Sequence, residues 1–406
     1  PPDDRSHRGS DPVTDLASAD WYLGDDVHQS LAELRRTDPV HWQEMDGEPG
    51  CWFVLRHADV VHVSRHPELF SSWLKGILLE DPDEVALKGA RQMLLIMDPP
   101  QHLAYRQPLA PHFAPRVIGA MEEGLRNRAR TLLRDAAERG EVDLSHDVAA
   151  PLASESIAVL MGLPFEDTPQ IRIWAEVNLG GQDDEVVESY EGNAAADMVA
   201  YAMQWAATRR AQPRRDDVTS LLLETTFDGR PMSDLEFGSF FLQLVTAGND
   251  TTRTLISTGV VELLRHPEQL AALRADRSLV PTAVEEILRW CNPVHAMRRT
   301  AAVDTEIGGQ AIAEGDKVAI HLTSANRDEA VFADAATFDI RRSPNPHLTF
   351  GIGTHFCLGA HVARLSARVF LEEALDAWPS VELAGEPTRI RSNLTNGHRR
   401  VPVRLG

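Results

Sequence analysis

The sequence predicts a mainly α-helical protein with a minor β region, and three observations lead to this fold class. Apolar residues recur at helical spacing over most of the chain. The runs with strand character are few and short. One amphipathic stretch, from Ser233 to Leu264, is long enough to cross a whole domain. Together these features indicate one large helical domain with a minor sheet.

The individual elements follow from the apolar periodicity, taken in chain order. It predicts helices at 27–36, 58–64, 115–140, 151–161, 195–210, 217–225 and 280–290. Runs with strand character predict strands at 40–42, 52–54, 306–307, 318–321 and 401–405. We find no internal repeat and no low-complexity linker. The expected organisation is therefore a flexible, polar, proline-containing segment at 1–20 and a single domain at 21–406.

Composition narrows the classes of partner. The chain has 406 residues, 43% of them hydrophobic, and a net charge of −21. This charge argues against nucleic acid and anionic membranes as partners. No run of about 18 apolar residues suggests a membrane span, and the N-terminus shows no basic-then-apolar signal. Three cysteines without CxxC spacing argue against a disulfide framework, so we expect a cytoplasmic protein in which Cys51 and Cys291 serve packing.

The most informative segment is FGIGTHFCLG at 350–359, which places Cys357 in a glycine-rich loop before a helix. Glycines allow close approach to a flat ligand, and backbone N–H groups at a helix start favour a thiolate. This pattern favours a metal ligand over a buried, inert cysteine. Gly351-x-Gly353 also occurs in dinucleotide loops, but Phe356 stands where that motif requires a third glycine.

These ten residues resemble the haem-binding signature of the cytochrome P-450 family. Phe350, Gly351, His355, Cys357 and Gly359 match its fixed positions. The resemblance extends from about Trp21 to Leu405. It implies the cytochrome P-450 fold, with a long central helix over a haem and small β-sheets at the edge. It also implies haem b (iron protoporphyrin IX) as the cofactor and Cys357 as the iron ligand.

The long central helix carries a polar interruption. Ser233 and Glu236 form a capping box, and His266-Pro267 ends the helix after about 32 residues, or roughly 48 Å. The segment AGNDTT at 247–252 interrupts it with glycine, a carboxylate and hydroxyls. It could form a kink with threonine hydroxyls bonded to the preceding turn, a solvent-facing stripe, or a local widening that admits dioxygen.

This segment resembles the oxygen-binding motif of the cytochrome P-450 central helix. The resemblance favours the local widening. It implies that Ala247 and Gly248 contact the haem, and that Thr251 and Asp250 are the catalytic pair that positions dioxygen and supplies protons. A peroxide-driven enzyme of the same fold typically replaces this pair, so its retention argues against such an enzyme.

Two further groups match family positions. Glu286 and Arg289 lie on one face of a predicted helix, and the resemblance adds Arg342 to complete a structural triad that supports the cysteine loop. His102 and Arg106 share a helical face, while Arg299 precedes a strand-like segment. Alone, each could be a surface cation. The resemblance implies that these three residues and His355 bind the haem propionates.

The implied activity is insertion of one oxygen atom of O2 into a C–H bond of a hydrophobic small molecule. No flavin or nicotinamide motif is present, so the resemblance implies electrons from a ferredoxin and its reductase. A chain of charge −21 needs a locally basic surface for an acidic ferredoxin, which Arg341, Arg342, His361 and Arg364 could supply. We expect a monomer.

The substrate follows less directly from the residues. In the family, pocket walls fall at positions matched here by apolar residues and one threonine: Trp73, Leu78, Leu242, Val245, Val294, Met297 and Thr395. Similar phrases occur in bacterial members that oxidise sterol side chains, methyl-branched lipids or terpenoids, which we favour. Tailoring of polyketides or peptides is the alternative. A haem-thiolate sensor without enzymatic activity would not need Asp250 and Thr251.

Overall fold

The computed structural model describes residues 14–180, 182–227 and 229–406, and helices dominate it. The α-helices are α1 Val27–Thr37, α2 His57–Arg65, α3 Glu84–Ala90, α4 Gln101–Leu109, α5 Pro115–Gly119, α6 Glu122–Arg139, α7 Ala150–Met161, α8 Thr168–Leu179, α9 Asp184–Val187, α10 Ala194–Arg210, α11 Val218–Glu224, α12 Asp234–Arg265, α13 Pro267–Ala275, α14 Val280–Cys291, α15 Leu322–Ala325 and α16 Ala360–Ala377. The mainly helical fold class is therefore confirmed.

Most predicted helices differ from the observed ones by a residue or two at their ends. The prediction of one helix over 115–140 is wrong, because α5 ends at Gly119 and α6 begins at Glu122. Between them, the N–H groups of Ala120 and Met121 bond to carbonyls three residues back, as in a 3₁₀ turn. Helix α8 was not predicted, although it packs against α10 and α12.

Helix α12 crosses the centre of the molecule and is buried over most of its length. It begins at a capping box in which the Ser233 side chain and the Glu236 carboxylate each accept a backbone N–H. Glu236 also binds Arg230 through both carboxylate oxygens at 2.6 Å. The helix ends at Arg265, and Pro267 begins α13. Both ends of α12 are therefore set by local sequence signals.

The β-strands are short and form small sheets. They are β1 Val40–Met45, β2 Glu48–Val54, β3 Phe70–Ser71, β4 Glu141–Asp143, β5 Thr226–Phe227, β6 Arg230–Pro231, β7 Ala296–Ala301, β8 Thr305–Ile307, β9 Gln310–Ile312, β10 Lys317–His321, β11 Val381–Leu383, β12 Thr388–Arg389, β13 His398–Arg400 and β14 Pro402–Leu405. Arg299 precedes β8, which covers the predicted run at 306–307, but it also lies inside β7, a strand that was not predicted.

The largest sheet has the order β1-β2-β10-β7-β3. Strands β2 and β10 pair in parallel, with Trp52 opposite Val318, and the other pairs are antiparallel. Val318 is in turn opposite Arg299 on β7. A second sheet, β11-β14-β4, joins the C-terminus to the end of α6. Pairing within the sheet therefore fixes the position of Arg299, one of the residues expected to bind the haem propionates.

The N-terminal boundary differs from the expected one in the part that the structure describes. Residues 1–13 of the expected flexible segment lie outside the described residues. In residues 14–20, Leu16 is fully buried and its N–H donates to Gln43 Oε1 at 3.1 Å, while Asp20 pairs with Arg391. These contacts tie the start of the described chain to β1 and to the C-terminal segment.

The described residues contain no helix that is both long enough and apolar enough to span a membrane. The core divides into a large helical cluster around α12 and two smaller clusters on either side of the main sheet. Cys51 and Cys291 are buried in these cores, whereas Cys357 is exposed. Burial raises the pKa of Cys51 to about 12, in agreement with a packing role.

Candidate functional site

The loop before α16 presents Cys357 in a fixed backbone frame. The Cys357 N–H donates to the Phe350 carbonyl at 2.8 Å, and the Gly351 N–H donates to the Leu348 carbonyl at 2.8 Å. Gly351 and Gly353 have φ of 65° and 74°, in the left-handed region that favours glycine. A Cβ on Gly353 would lie 2.6 Å from the carbonyl oxygen of Ser64 at the end of α2. The loop is therefore packed tightly against α2.

The environment of the Cys357 thiol contains opposing influences. Although the side chain is exposed, the surrounding protein atoms raise its pKa. The backbone N–H of Gly359 and the charges of Arg106 and Arg364 act in the other direction. A metal cation that replaced the thiol proton would leave a thiolate, and the same three groups would stabilise the negative charge of that thiolate. The arrangement thus suits a thiolate ligand to a metal.

A cluster of potential cations lies next to this loop. The rings of His102 on α4 and His355 in the loop are 4.5 Å apart. Arg106, one turn after His102, donates to the Phe356 carbonyl. Arg299 on β7 is 5% exposed and donates to the Arg298 carbonyl at 2.7 Å. The structure therefore brings together all four residues that the resemblance assigned to propionate binding.

Burial and mutual repulsion disfavour positive charge on the groups of this cluster. Burial, followed by repulsion from Arg299, His102 and Arg106, lowers the pKa of His355 to about 2. Burial also lowers the pKa of Arg299 to about 10, with Asp98 opposing. His102 Nδ1 and His355 Nε2 are buried and bond no protein atom. These unsatisfied donors would suit the carboxylates of a bound ligand.

Within the described residues, no group of three or more His, Cys, Asp and Glu side chains could hold a metal ion. A metal at Cys357 would therefore have one ligand from these residues and must bring its remaining ligands with it. A metalloporphyrin with two carboxylates meets both requirements, because its ring ligates the iron and its carboxylates match the cation cluster. Haem b fits the residues present.

Helix α12 exposes part of its polar segment. Ala247 is exposed and Gly248 and Thr251 are partly exposed, although their helix is otherwise largely buried. The Thr251 hydroxyl donates to the Ala247 carbonyl at 2.5 Å. A Cβ on Gly248 would lie 2.2 Å from Ile157 Cδ1 on α7. The expected local widening is not observed: α12 is continuous, and Gly248 allows close packing of α7.

Asp250 faces away from Thr251 toward other partners. Its carboxylate oxygen Oδ1 accepts from Arg253 Nε at 2.9 Å and also from Arg253 Nη2. Asp250 is 2% exposed and Arg253 is 4% exposed, so this ion pair is buried. Arg253 Nη1 donates to Ser145 Oγ at 3.2 Å. The sequence interpretation missed Arg253, although its spacing of three after Asp250 on a helix signals the pair.

The expected structural triad is assembled around Glu286. Arg289 donates to its two carboxylate oxygens at 2.8 and 2.7 Å, and Arg342 Nε lies 3.2 Å from Oε2. Glu286 and Arg289 are fully buried. Asn345, which the sequence interpretation did not include, donates to Oε2 at 3.1 Å. These bonds fix the chain before the cysteine loop to α14.

Comparisons with known proteins agree with this geometry. A family model for cytochrome P-450 matches residues 193–379. The chain is 38% identical over 379 residues to a steroid C26-monooxygenase of Mycolicibacterium smegmatis, covering 91% of this chain and 88% of that protein. It is 39% identical over 409 residues to a methyl-branched lipid omega-hydroxylase of Mycobacterium tuberculosis, covering 97% and 95%. A Mycobacterium marinum cytochrome P-450 solved with pseudoionone has a TM-score of 0.91 and 35% identity, covering 98% of this chain and 100% of that one.

The chain belongs to the cytochrome P-450 family. It is a cytochrome P-450 monooxygenase with haem b as its cofactor. In this P-450, Cys357 would hold the haem iron and the cation cluster would hold the haem propionates. Phe350, Gly351 and Gly359 lie in the same loop as Cys357. Haem b supplies the oxidative chemistry, and the protein must bind it, exclude water and move protons.

The expected pocket residues fall into three places in this P-450. Leu242 and Val245 are buried in the helical core around α12. Val294 and Met297 pack against one sheet core, and Val294 pairs with Thr395 in an isolated antiparallel bridge. Trp73 lies under the Arg91 guanidinium at 4.8 Å, and Leu78 is 51% exposed. The structure thus brings Val294 and Thr395 into direct pairing and leaves Leu78 at the surface.

Proposed function

We propose that this P-450 hydroxylates a lipid-like molecule, such as a sterol side chain, a methyl-branched lipid or a terpenoid. The observation that carries the proposal is the similarity, over more than nine-tenths of the chain, to enzymes named for steroid and methyl-branched lipid oxidation. The apolar character of the expected pocket residues supports it. Tailoring of polyketides or peptides is the second candidate, because solved structures of a himastatin tailoring hydroxylase and of a cytochrome P-450 with erythromycin B are similar to this chain at 32% and 34% identity.

The proposed roles of the residues follow from the site. Cys357 would hold the haem iron, and His102, Arg106, Arg299 and His355 would bind the two propionates through charge-assisted hydrogen bonds. Ala247 and Gly248 would face the haem from α12. Thr251 and Asp250 would hold and pass protons where dioxygen is reduced. In this arrangement the Thr251 hydroxyl exchanges its bond to the Ala247 carbonyl for one to a water or to the reacting molecule.

The proposed electron donor is a ferredoxin that docks on the surface near Cys357, with a reductase that supplies it. Two of the four residues expected to form a basic docking patch, Arg342 and Arg364, are already paired within the protein. Arg342 is committed to Glu286 and to backbone carbonyls, and Arg364 binds Glu285 at 2.7 and 2.8 Å. The apolar side chains of Leu103 and Phe356 are 42% and 40% exposed. Such exposed apolar residues are more typical of a docking surface than arginines that are already paired within the protein. We also propose that the protein is a cytoplasmic monomer.

The substrate proposal is tested by titrating the haem-loaded protein with a sterol, a methyl-branched fatty acid and an acyclic terpenoid. Binding in the pocket should shift the haem spin state, and turnover with ferredoxin and reductase should give a hydroxylated product by mass spectrometry. A polyketide aglycone and a cyclic peptide serve as comparison ligands. A spin shift and product with these ligands alone would contradict the lipid proposal.

Docking is tested separately with Leu103→Glu and with Val159→Glu, which changes an exposed residue of α7 in the same way. We expect Leu103→Glu to slow reduction by ferredoxin about tenfold or more, since a buried charge in an interface costs over ~1.4 kcal/mol. Val159→Glu should have no such effect. Equal rates for both variants, with intact haem spectra, would contradict a docking surface at Leu103.

A further inference from the structure

A cavity of about 170 Å³ with both polar and apolar lining residues lies between α8, α12 and the C-terminal segment. Its lining includes Asp250 and Arg253 from α12, Glu176 from α8, and His146. It also includes Thr395, one of the expected pocket residues. The volume is enough for several water molecules, and the lining supplies polar partners for them. The cavity therefore has room for water beside Asp250.

The lining also includes charged groups that reach solvent. Glu185, Arg399 and Arg400 line the cavity, and their side chains are 53%, 22% and 62% exposed. Glu185 pairs with both arginines at 2.8 and 3.0 Å. The cavity thus connects exposed charged groups with an aspartate that is 2% exposed.

Glu176 also lines this cavity, from α8. Its oxygen Oε1 is buried and has no hydrogen-bond partner in the protein. A buried carboxylate oxygen without a partner is costly, so a water in the cavity is its natural donor. Helix α8, which carries Glu176, packs directly against α12, which carries Asp250.

Arg253 connects the charges of the two carboxylates. Burial opposes its charge, but Asp250, Glu176 and Asp143 together raise the pKa of Arg253. One buried guanidinium therefore compensates several carboxylates, while its hydrogen bonds go to Asp250 and Ser145. Removing or adding a proton at one carboxylate would change the field at the others. The charged and titratable groups that line this cavity are His146, Glu176, Glu185, Asp250, Arg253, Arg399 and Arg400.

We propose that Glu176 passes protons from solvent to Asp250 through water in this cavity. The proposal rests on the proposed role of Asp250. In each transfer, the protonated Glu176 carboxyl gives a proton to a cavity water, which gives one to Asp250. Glu176 then regains a proton from solvent past Glu185. No electrons move, and Arg253 stays protonated. Since Glu176 acts through Asp250, it is a positioning residue for the proton and does not touch the reacting atoms.

The first experiment uses Glu176→Gln, which keeps the shape and removes the exchangeable carboxyl. Glu188→Gln is the matched control, because Glu188 is exposed and does not line the cavity. In the holoenzyme supplied with ferredoxin, we expect Glu176→Gln to lower product per electron pair and to slow turnover at least about tenfold. This is less than the ~10²–10⁴ of a directly acting group, because cavity water remains a slower path. The solvent deuterium isotope effect should rise, and Glu176→Asp should restore part of the rate.

The second readout needs no turnover. Isotope-edited infrared titration of the holoprotein follows the carboxyl bands of Glu176 and Asp250. We expect Glu176→Gln to shift the titration of Asp250, and Asp250→Asn to shift that of Glu176, while Glu188→Gln shifts neither. An unchanged isotope effect in Glu176→Gln, or independent titrations of the two carboxyls, would overturn the proposal. Failure of the wild type to oxidise any lipid would instead count against the proposed function, and the titrations would still decide the role of Glu176.

Discussion

The imidazole rings of His102 and His355 lie 4.5 Å apart, although one comes from α4 and the other from the loop before α16. Each ring has a buried nitrogen that no protein atom satisfies, and burial lowers the pKa of His102 to about 4. Two neutral rings beside Arg106 and Arg299 can both donate to the carboxylates of an acidic ligand. The pair therefore suits the proposed binding of the haem propionates.

We expect His102→Leu and His355→Leu each to weaken haem retention about tenfold to a hundredfold, since a charge-assisted hydrogen bond to a carboxylate contributes ~1.5–3 kcal/mol. The rate of haem transfer to apomyoglobin measures this loss directly. His112→Leu, at another histidine just beyond the same helix, is the control. Retention equal to the wild type in both site variants would exclude these rings as propionate ligands.

Replacement of Cys357 by Ser should remove the thiolate signature. The carbon monoxide difference spectrum of the reduced wild type should show a strongly red-shifted Soret band, which the variant should lose. Cys51→Ala changes a buried cysteine in β2 and should keep the band. A red-shifted band in Cys357→Ser would mean that another residue ligates the iron.

The two neighbouring glutamates of α14 should differ sharply in their effect on stability. Glu286→Gln leaves Arg289 and Arg342 without their buried carboxylate and should cost ~3–5 kcal/mol of unfolding free energy. Glu285→Gln weakens partly exposed pairs with Arg364 and His347, which should cost only about 1 kcal/mol. Chemical denaturation of the two variants checks the contrast. Equal losses would show that the Glu286 cluster does not hold the fold together.

The features that the sequence predicted well have local causes. The capping box at Ser233, the stop at Pro267 and the glycines around Cys357 are contained within a few residues, so they could be read directly. Arg342 could be chosen over Arg341 only through the family resemblance, because both follow the same strand-like run. In the structure, Arg342 is bonded to Glu286, whereas Arg341 is exposed.

Other features depend on distant partners and could not be read locally. Helix α8 was missed because Arg172 and Glu176 interrupt its apolar pattern, and Glu176 faces a cavity that exists only once α12 and the C-terminal strands are in place. Strand β3 has two residues and is defined by its pairing with β7. The prediction of a widening in α12 was wrong because Gly248 makes room for Ile157 on α7, a contact that sequence spacing does not reveal.

A buried histidine should give the protein a marked acid sensitivity. His321 is fully buried; its Nδ1 accepts the Ser324 N–H at 3.1 Å, and its Nε2 lies 3.1 Å from the Tyr22 hydroxyl. Burial, reinforced by Arg35, lowers the pKa of His321 to about 3. The unfolded chain therefore binds the proton at higher pH than the folded one, and stability falls as pH drops from ~6.5 toward 3.

At pH 5 this one group should lower the unfolding free energy by about 2 kcal/mol relative to pH 7. His321→Gln should reduce the slope of unfolding free energy against pH between pH 6.5 and 5, measured by urea denaturation. The reduction should correspond to the uptake of up to one proton on unfolding. His66→Gln, at a side chain 43% exposed, is the control. A slope as steep in His321→Gln as in the wild type would assign the acid sensitivity to other buried histidines, such as His28 and His295.

The two left-handed glycines of the cysteine loop should respond differently to alanine. Gly351→Ala meets no atom closer than the His355 carbonyl oxygen at 3.7 Å, so it should cost only the backbone strain of ~1–2 kcal/mol. Gly353→Ala adds the same strain at φ 74° and places its Cβ 2.6 Å from the Ser64 carbonyl oxygen. That oxygen belongs to the backbone of α2 and cannot move aside as a side chain could. We therefore expect Gly353→Ala to lose at least ~1–3 kcal/mol more than Gly351→Ala, and to displace the cysteine from its frame. Thermal unfolding and haem content of the two variants measure this difference. Equal stability and haem content would mean that the loop does not depend on its packing against α2.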